Sequence, residues 1–106
     1  MIISTTENIA GYSIKEHLGT VIGNTIRARH VGKDIMAGLR TIIGGEIKEY
    51  TGMLAESREQ SMMRMKDKAK ELGADAVVCV RFQTSMILSG TSELLVYGTA
   101  VKLEKS

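Results

Sequence analysis

Leu72-Gly73-Ala74-Asp75-Ala76-Val77-Val78-Cys79-Val80 sets the architecture of everything around it. Glycine accepts a left-handed backbone that other residues resist, so Gly73 after a periodic apolar run reads as a helix stop. The β-branched run that follows reads as a buried strand. Upstream, Ile47, Tyr50, Leu54, Arg58, Met62, Met65, Ala69 and Leu72 recur at steps of three and four. That is a core-facing stripe on a helix of about seven turns, with Arg58 as its one polar intruder. The helix starts near Glu46, after the turn Gly44-Gly45, and Lys66, Lys68 and Lys70 suit the negative end of its dipole.

Downstream, Ala76 to about Met86 is expected to be a strand, Ser89-Gly90-Thr91-Ser92 a reversal, and Glu93 to Leu103 its antiparallel partner. Simple alternation puts Val78, Val80 and Phe82 on one face and Val77 and Cys79 on the other. On the partner strand, Leu95, Tyr97, Val101 and Leu103 share one face, and Leu94, Val96, Gly98 and Ala100 the other. The small pair Gly98 and Ala100 marks the face on which a helix lies close. Towards the N-terminus, Ile35, Met36, Leu39, Ile42 and Ile43 form the stripe of a short helix ended by Gly44-Gly45. Tyr12 to Arg27 reads as a long strand that bulges or bends at Gly19 and Gly23, and Ile2 to Thr5 as a short leading strand.

The expected fold is therefore α+β, an antiparallel sheet packed on one long helix plus a short helix, in a single domain over residues 1–106. Both faces of the C-terminal hairpin are apolar, and one long helix covers only one of them. A large uncovered apolar face on a protein in water marks a contact surface, so self-association is expected.

Composition narrows the function classes. Hydrophobic residues make up 43% and charged residues 25%, ordinary values for a globular chain. No apolar run approaches the ~20 residues that span a bilayer, and the N-terminus lacks the basic start and long apolar region of a signal peptide. One cysteine rules out an internal disulfide and fits a reducing cytoplasm. The net charge of +2 is small, and the densest basic segment, Arg27 to Arg40, is interrupted by Asp34 and holds no aromatic residue to stack on bases. Neither nucleic acid nor membrane is an expected partner. The chain has no proline, and its aromatic residues are Tyr12, Tyr50, Phe82 and Tyr97. The core must be aliphatic and methionine-rich, with no ring pair to sandwich a flat cofactor. No cofactor is expected.

Gly38-Leu39-Arg40-Thr41-Ile42-Ile43-Gly44-Gly45, then Tyr50, Leu54 and Arg58, then Leu72 to Val78, and finally Tyr97-Gly98-Thr99-Ala100-Val101 resemble the YbjQ family in order along nearly the whole chain. The opening Met1-Ile2-Ile3-Ser4-Thr5-Thr6 looks like its usual start. The family is described as heavy-metal-binding but of unknown function. The resemblance implies a dodecin-like β-α-β-β subunit with extra N-terminal strands, assembled as a ring, commonly a homopentamer. The chain departs from family habit at Cys79, where members often have glycine, and at Arg81 and Gln83, where they often have acidic residues. Two alternating carboxylates on one strand face could hold a hard cation; Arg and Gln cannot.

The polar candidates for a site are Arg40, Tyr50 and Arg58, which lie on core-facing stripes and match family positions. They serve either as a structural network bonded to carboxylates and carbonyls or as a pocket for an anion or small ligand at a subunit junction, with forked guanidinium donors. Metal chemistry has weaker footing. Cys79 sits in a valine-rich strand as a small hydrophobe would, and His17 and His30 lie far from it in sequence. Met62, Met63 and Met65 are soft donors, but Met62 and Met65 belong to the helix stripe. Ser57 and Ser61 have no histidine at helical spacing, and neither Gly19-x-x-x-Gly23 nor Gly44-Gly45 ends as a phosphate loop does. The expectation is a non-catalytic, ring-forming module that binds a small ligand at its junctions. A heavy-metal-binding protein is the alternative, and an uncharacterised enzyme the next.

Overall fold

The long helix ends where Gly73 places its stop. In the computed structural model, which describes residues 1–28, 48–88 and 90–106, helix α1 (Lys48–Glu71) closes with two interlocked backbone bonds. Ala74 N–H reaches the Ala69 carbonyl at 3.0 Å and Gly73 N–H the Lys70 carbonyl at 2.9 Å. This is the pairing that left-handed caps make, and Gly73 has φ +77°. The short helix expected around Ile35 to Ile43 lies outside the described residues.

Among the described residues four strands form one mixed sheet, in the order β1-β3-β4-β2. Strand β1 (Ile2–Ile3) runs parallel to β3 (Ala76–Leu88), and β4 (Thr91–Lys105) runs antiparallel to both β3 and β2 (Tyr12–Ala28). Asp75 pins the far end of β4: its backbone N–H donates to the Val101 carbonyl, and its carboxylate accepts from Leu103 N–H, both at 2.9 Å. The α+β architecture and the antiparallel C-terminal hairpin agree with the sequence reading.

Helix α1 lies over β2, reaches β4 and barely touches β3. The face it covers contains Val21, Val77, Val80, Val96 and Ala100, packed against Met65 and Ala69. The opposite face has a smaller core of Ala76, Val78 and Val101, flanked by Ile9 and Ile14 from the N-terminal third. The largest fully buried side chains among the described residues are Met65, Val77, Val96, Val101 and Ser61. No aromatic ring is among them.

Three expectations needed correction. The buried stripe of α1 is Ser57, Ser61, Met65 and Ala69, whereas Leu54, Arg58 and Leu72 are exposed. Four-residue steps keep it on one row of the helix, and its small members let the helix settle against the sheet. The close approach occurs at Gly23, which does not bend β2: a Cβ there would overlap the Ser61 backbone oxygen and the Met65 backbone nitrogen. Gly98 faces the helix side as expected, but a Cβ there would press on β3, 2.6 Å from Val77 Cγ1.

The third correction concerns β3. Its pairing with β4 slips between Val78 and Arg81, and Cys79 at the slip has φ 56°. One extra residue in a strand inverts the alternation beyond it. Val77 and Val80 therefore share the helix side, and Phe82, opposite Val96, follows them. Val78 stays on the other face. A similar register shift falls between His17 and Gly19 in β2, where the sequence suggested one.

Candidate functional site

Ser57 and Ser61 replace apolar residues on the buried row of α1, and their hydroxyls need partners. Ser61 Oγ bonds to Thr25 Oγ1 and donates to the Leu94 carbonyl, both at 3.2 Å. Arg27, at the end of β2, donates from Nε to Ser57 Oγ at 3.0 Å and from Nη2 to Gln60 Oε1 at 2.8 Å, with Glu56 3.9 Å away. It belongs to the basic segment of the sequence, and here it braces strand to helix. Arg64 does the same from the helix, donating to the Asn24 carbonyl at 2.6 Å. Arg81 ties β3 to the N-terminal segment through the Thr5 carbonyl at 2.9 Å. Nothing in the periodicity marks these arginines as struts, because each reaches a residue distant in sequence.

Of the residues expected to form a ligand site, Arg58 has a described side chain. Arg40 lies outside the described residues. Tyr50 falls within α1, and its side chain also lies outside them. Arg58 is exposed, at the rim of an open groove of about 690 Å³ between α1 and β3. The groove's apolar wall is Met62, Met63 and Phe82; Lys66 and Lys70 join Arg58 along it, opposed by Glu59 and Asp67. Arg58, Met62, Lys66 and Lys70 succeed one another at four-residue steps, so three cations and a thioether form one row beside an aromatic ring.

A second hollow, of about 680 Å³, opens on the other face of the sheet. Cys79 and His17 both line it, with Glu7, Asn8 and Tyr12, so two residues far apart in sequence share one cavity. The bulge makes this possible by turning Cys79 away from the alternation of its neighbours. Among the described residues no group of three or more His, Cys, Asp or Glu side chains is arranged to hold a metal ion. The methionines diverge as well: Met65 is fully buried, Met62 is half-buried in the groove and Met63 is exposed.

A model of the family described as "Putative heavy-metal-binding" matches residues 1–104. The chain belongs to the YbjQ family. A UPF0145 protein of Dehalococcoides mccartyi is 57% identical over 104 residues, covering 98% of this chain and all of that one. UPF0145 proteins of Thermosipho africanus, 57% identical over 106 residues, and Archaeoglobus fulgidus, 58% identical over 103, cover 100% and 97% of this chain and 98% and 95% of their own. The fold is shared with a crystal structure from Pediococcus pentosaceus, described as a protein of unknown function in the DUF74 family. The TM-score is 0.67 at 18% identity, with 98% of each chain covered. These YbjQ-family names carry no reaction. Among the described residues no helix is long and apolar enough to cross a membrane.

Proposed function

We propose that the chain is a single-domain, non-catalytic subunit of a cytoplasmic homo-oligomeric ring, a pentamer by family resemblance, that binds a small ligand where subunits meet. One observation carries the reading: small apolar side chains fill the inside and large ones stand outside. Among the described residues the core is valine and alanine with Met65 and Leu94, whereas Phe82, Ile26, Leu88 and Met86 are 46, 59, 67 and 79% exposed. Folding buries large hydrophobes first when it can, so a chain that leaves them out has a partner to cover them.

In the ligand reading, Arg58 is a junctional donor, joined by Arg40 and Tyr50 in the assembled ring. Its exposure on a single subunit and its place above Phe82 and Met62 favour that role over a buried strut.

Native mass spectrometry of the full chain at micromolar concentration tests this, with five subunits expected; a monomer would sink the ring. The heavy-metal reading is kept by the shared hollow of His17 and Cys79. Metal analysis of the same sample separates the two. Zn, Cu and Ni contents equal in wild type and Cys79→Ser are expected, and a stoichiometric metal lost in the variant would favour the metal reading.

A further inference from the structure

We propose that the outer edge of β3 from Phe82 to Met86 pairs with the outer edge of β2 in a second copy of the chain. This head-to-tail contact rests on the ring reading above. Backbone groups of a strand point alternately to its two sides. Val80 N–H points outward, donating to the Ser4 carbonyl at 3.0 Å. Phe82, Thr84 and Met86 keep that phase, but β1 has ended: its last pairing is Ile3 with Val77. Among the described residues no backbone bond meets these outer groups. Nothing blunts the edge either, since Phe82 to Leu88 includes no charge and no proline.

Among the described residues the other open edge is β2, which has β4 on one side and no strand on the other. The bond from Arg64 to the Asn24 carbonyl shows which way this strand faces. By alternation, Ile22 and Ile26 also direct their backbone groups outward. Arg64 occupies only one carbonyl of a 17-residue strand.

Edges could join β3 to β3, β2 to β2, or β3 to β2. The position of the helix decides between them. Phe82 and Met86 point to the helix side, opposite Val96 and Ser92, and stay exposed because α1 lies over β2 and barely reaches β3. When β3 of one copy continues into β2 of the next, the neighbour's α1 comes to lie beside that uncovered stripe. One contact then supplies both the missing strand and the missing cover. Pairing β3 with β3 would double the uncovered stripe, and pairing β2 with β2 would leave it untouched. A contact between two different edges propagates from copy to copy and closes into a ring when the rotation allows.

Edge-blocking prolines test this in the full chain. Thr84→Pro removes an outward N–H from β3 and Ile22→Pro one from β2, each leaving the ladder with β4 intact. Each variant alone is expected to be monomeric by native mass spectrometry, with wild-type circular dichroism, and an equimolar mixture to give a one-to-one dimer. An Ile22→Pro sample that dimerises alone would show β3 pairing with β3 and overturn the proposal. Rings that survive both prolines would overturn it while leaving the ring reading intact; a monomeric wild type would sink both. Amide exchange on the wild type covers variants that fail to fold. Protection at both Thr84 and Ile22 is expected, and free exchange at either overturns the pairing.

Discussion

The two halves of β3 form a controlled comparison within a single strand. Ala76 to Val80 is buried apart from the half-exposed Cys79, and Arg81 to Leu88 is exposed throughout. The buried half is made of alanine, valine and cysteine, whereas the exposed half holds Phe82, Met86, Ile87 and Leu88. Hydrophobicity alone would have predicted the reverse. What separates the halves is cover: the near half has α1 on one face and Ile9 and Ile14 on the other, and the far half has only the open groove that Phe82 shares with α1. The near half is the chain's own core, and in the function proposed above the far half is a contact surface for another copy. Substitutions in the first are expected to cost folding, and substitutions in the second to cost assembly.

The strongest way to break the near half is Gly23→Ala. A Cβ there overlaps backbone atoms of Ser61 and Met65, which cannot rotate away as a side chain end can. Overpacking against a helix backbone is expected to cost about 3 kcal/mol. Thermal unfolding is expected to show a Tm lower by more than about 10 °C. A variant that melts like the wild type would mean α1 is not seated on β2.

Gly73→Val comes next. Space is not the difficulty, since the nearest atom to a Cβ is Lys102 Nζ at 3.6 Å. The left-handed φ of +77° is, because a β-branched residue there loses about 1–2 kcal/mol. Urea denaturation is expected to show that loss, and an unchanged midpoint would mean the cap is not holding α1. Cys79→Gly sharpens the comparison in the opposite direction. Cys79 occupies φ 56°, so glycine relieves a strain of ~1–2 kcal/mol and returns ~0.5–1 kcal/mol of it as chain entropy. A net gain of roughly 0.5 kcal/mol is expected in the same urea experiment. A loss would show that the Cys79 side chain contributes more by packing than its backbone costs.

How much of this was legible in the sequence follows from the range of the forces involved. The cap at Gly73, the reversal near Gly90 and the long helix are local, and three-to-four-residue periodicity and turn chemistry reveal them. The bulge at Cys79 was hidden, because a run of apolar residues reads alike in either phase and cysteine gives no signal of a left-handed backbone. That one residue reassigned Val80 and Phe82 to the helix side. The buried Ser57 and Ser61 were missed for a related reason: a stripe chosen by hydrophobicity passes over serines whose hydroxyls are satisfied across the sheet. Of the candidate site, Arg58 was visible as a polar intruder at a family position, and the struts Arg27, Arg64 and Arg81 depend on partners that sequence spacing does not show.

The smallest expected effect on folding is in the far half, at Met86→Lys. Met86 is 79% exposed in the single chain, so lysine loses little packing there and keeps its ammonium in water. Subunit stability is expected to change by less than about 0.5 kcal/mol, as for an ordinary surface position. Assembly is the sensitive readout. In a ring, Met86 lies in a stripe that another copy covers, and a lysine there must lose its water or hold the interface apart. Light scattering at micromolar concentration is expected to show a reduced subunit count, together with unfolding midpoints of the isolated subunit close to those of dissociated wild type. A variant that keeps the full count would show that the far half of β3 faces solvent in the assembly, and the contrast between the two halves would then need another cause.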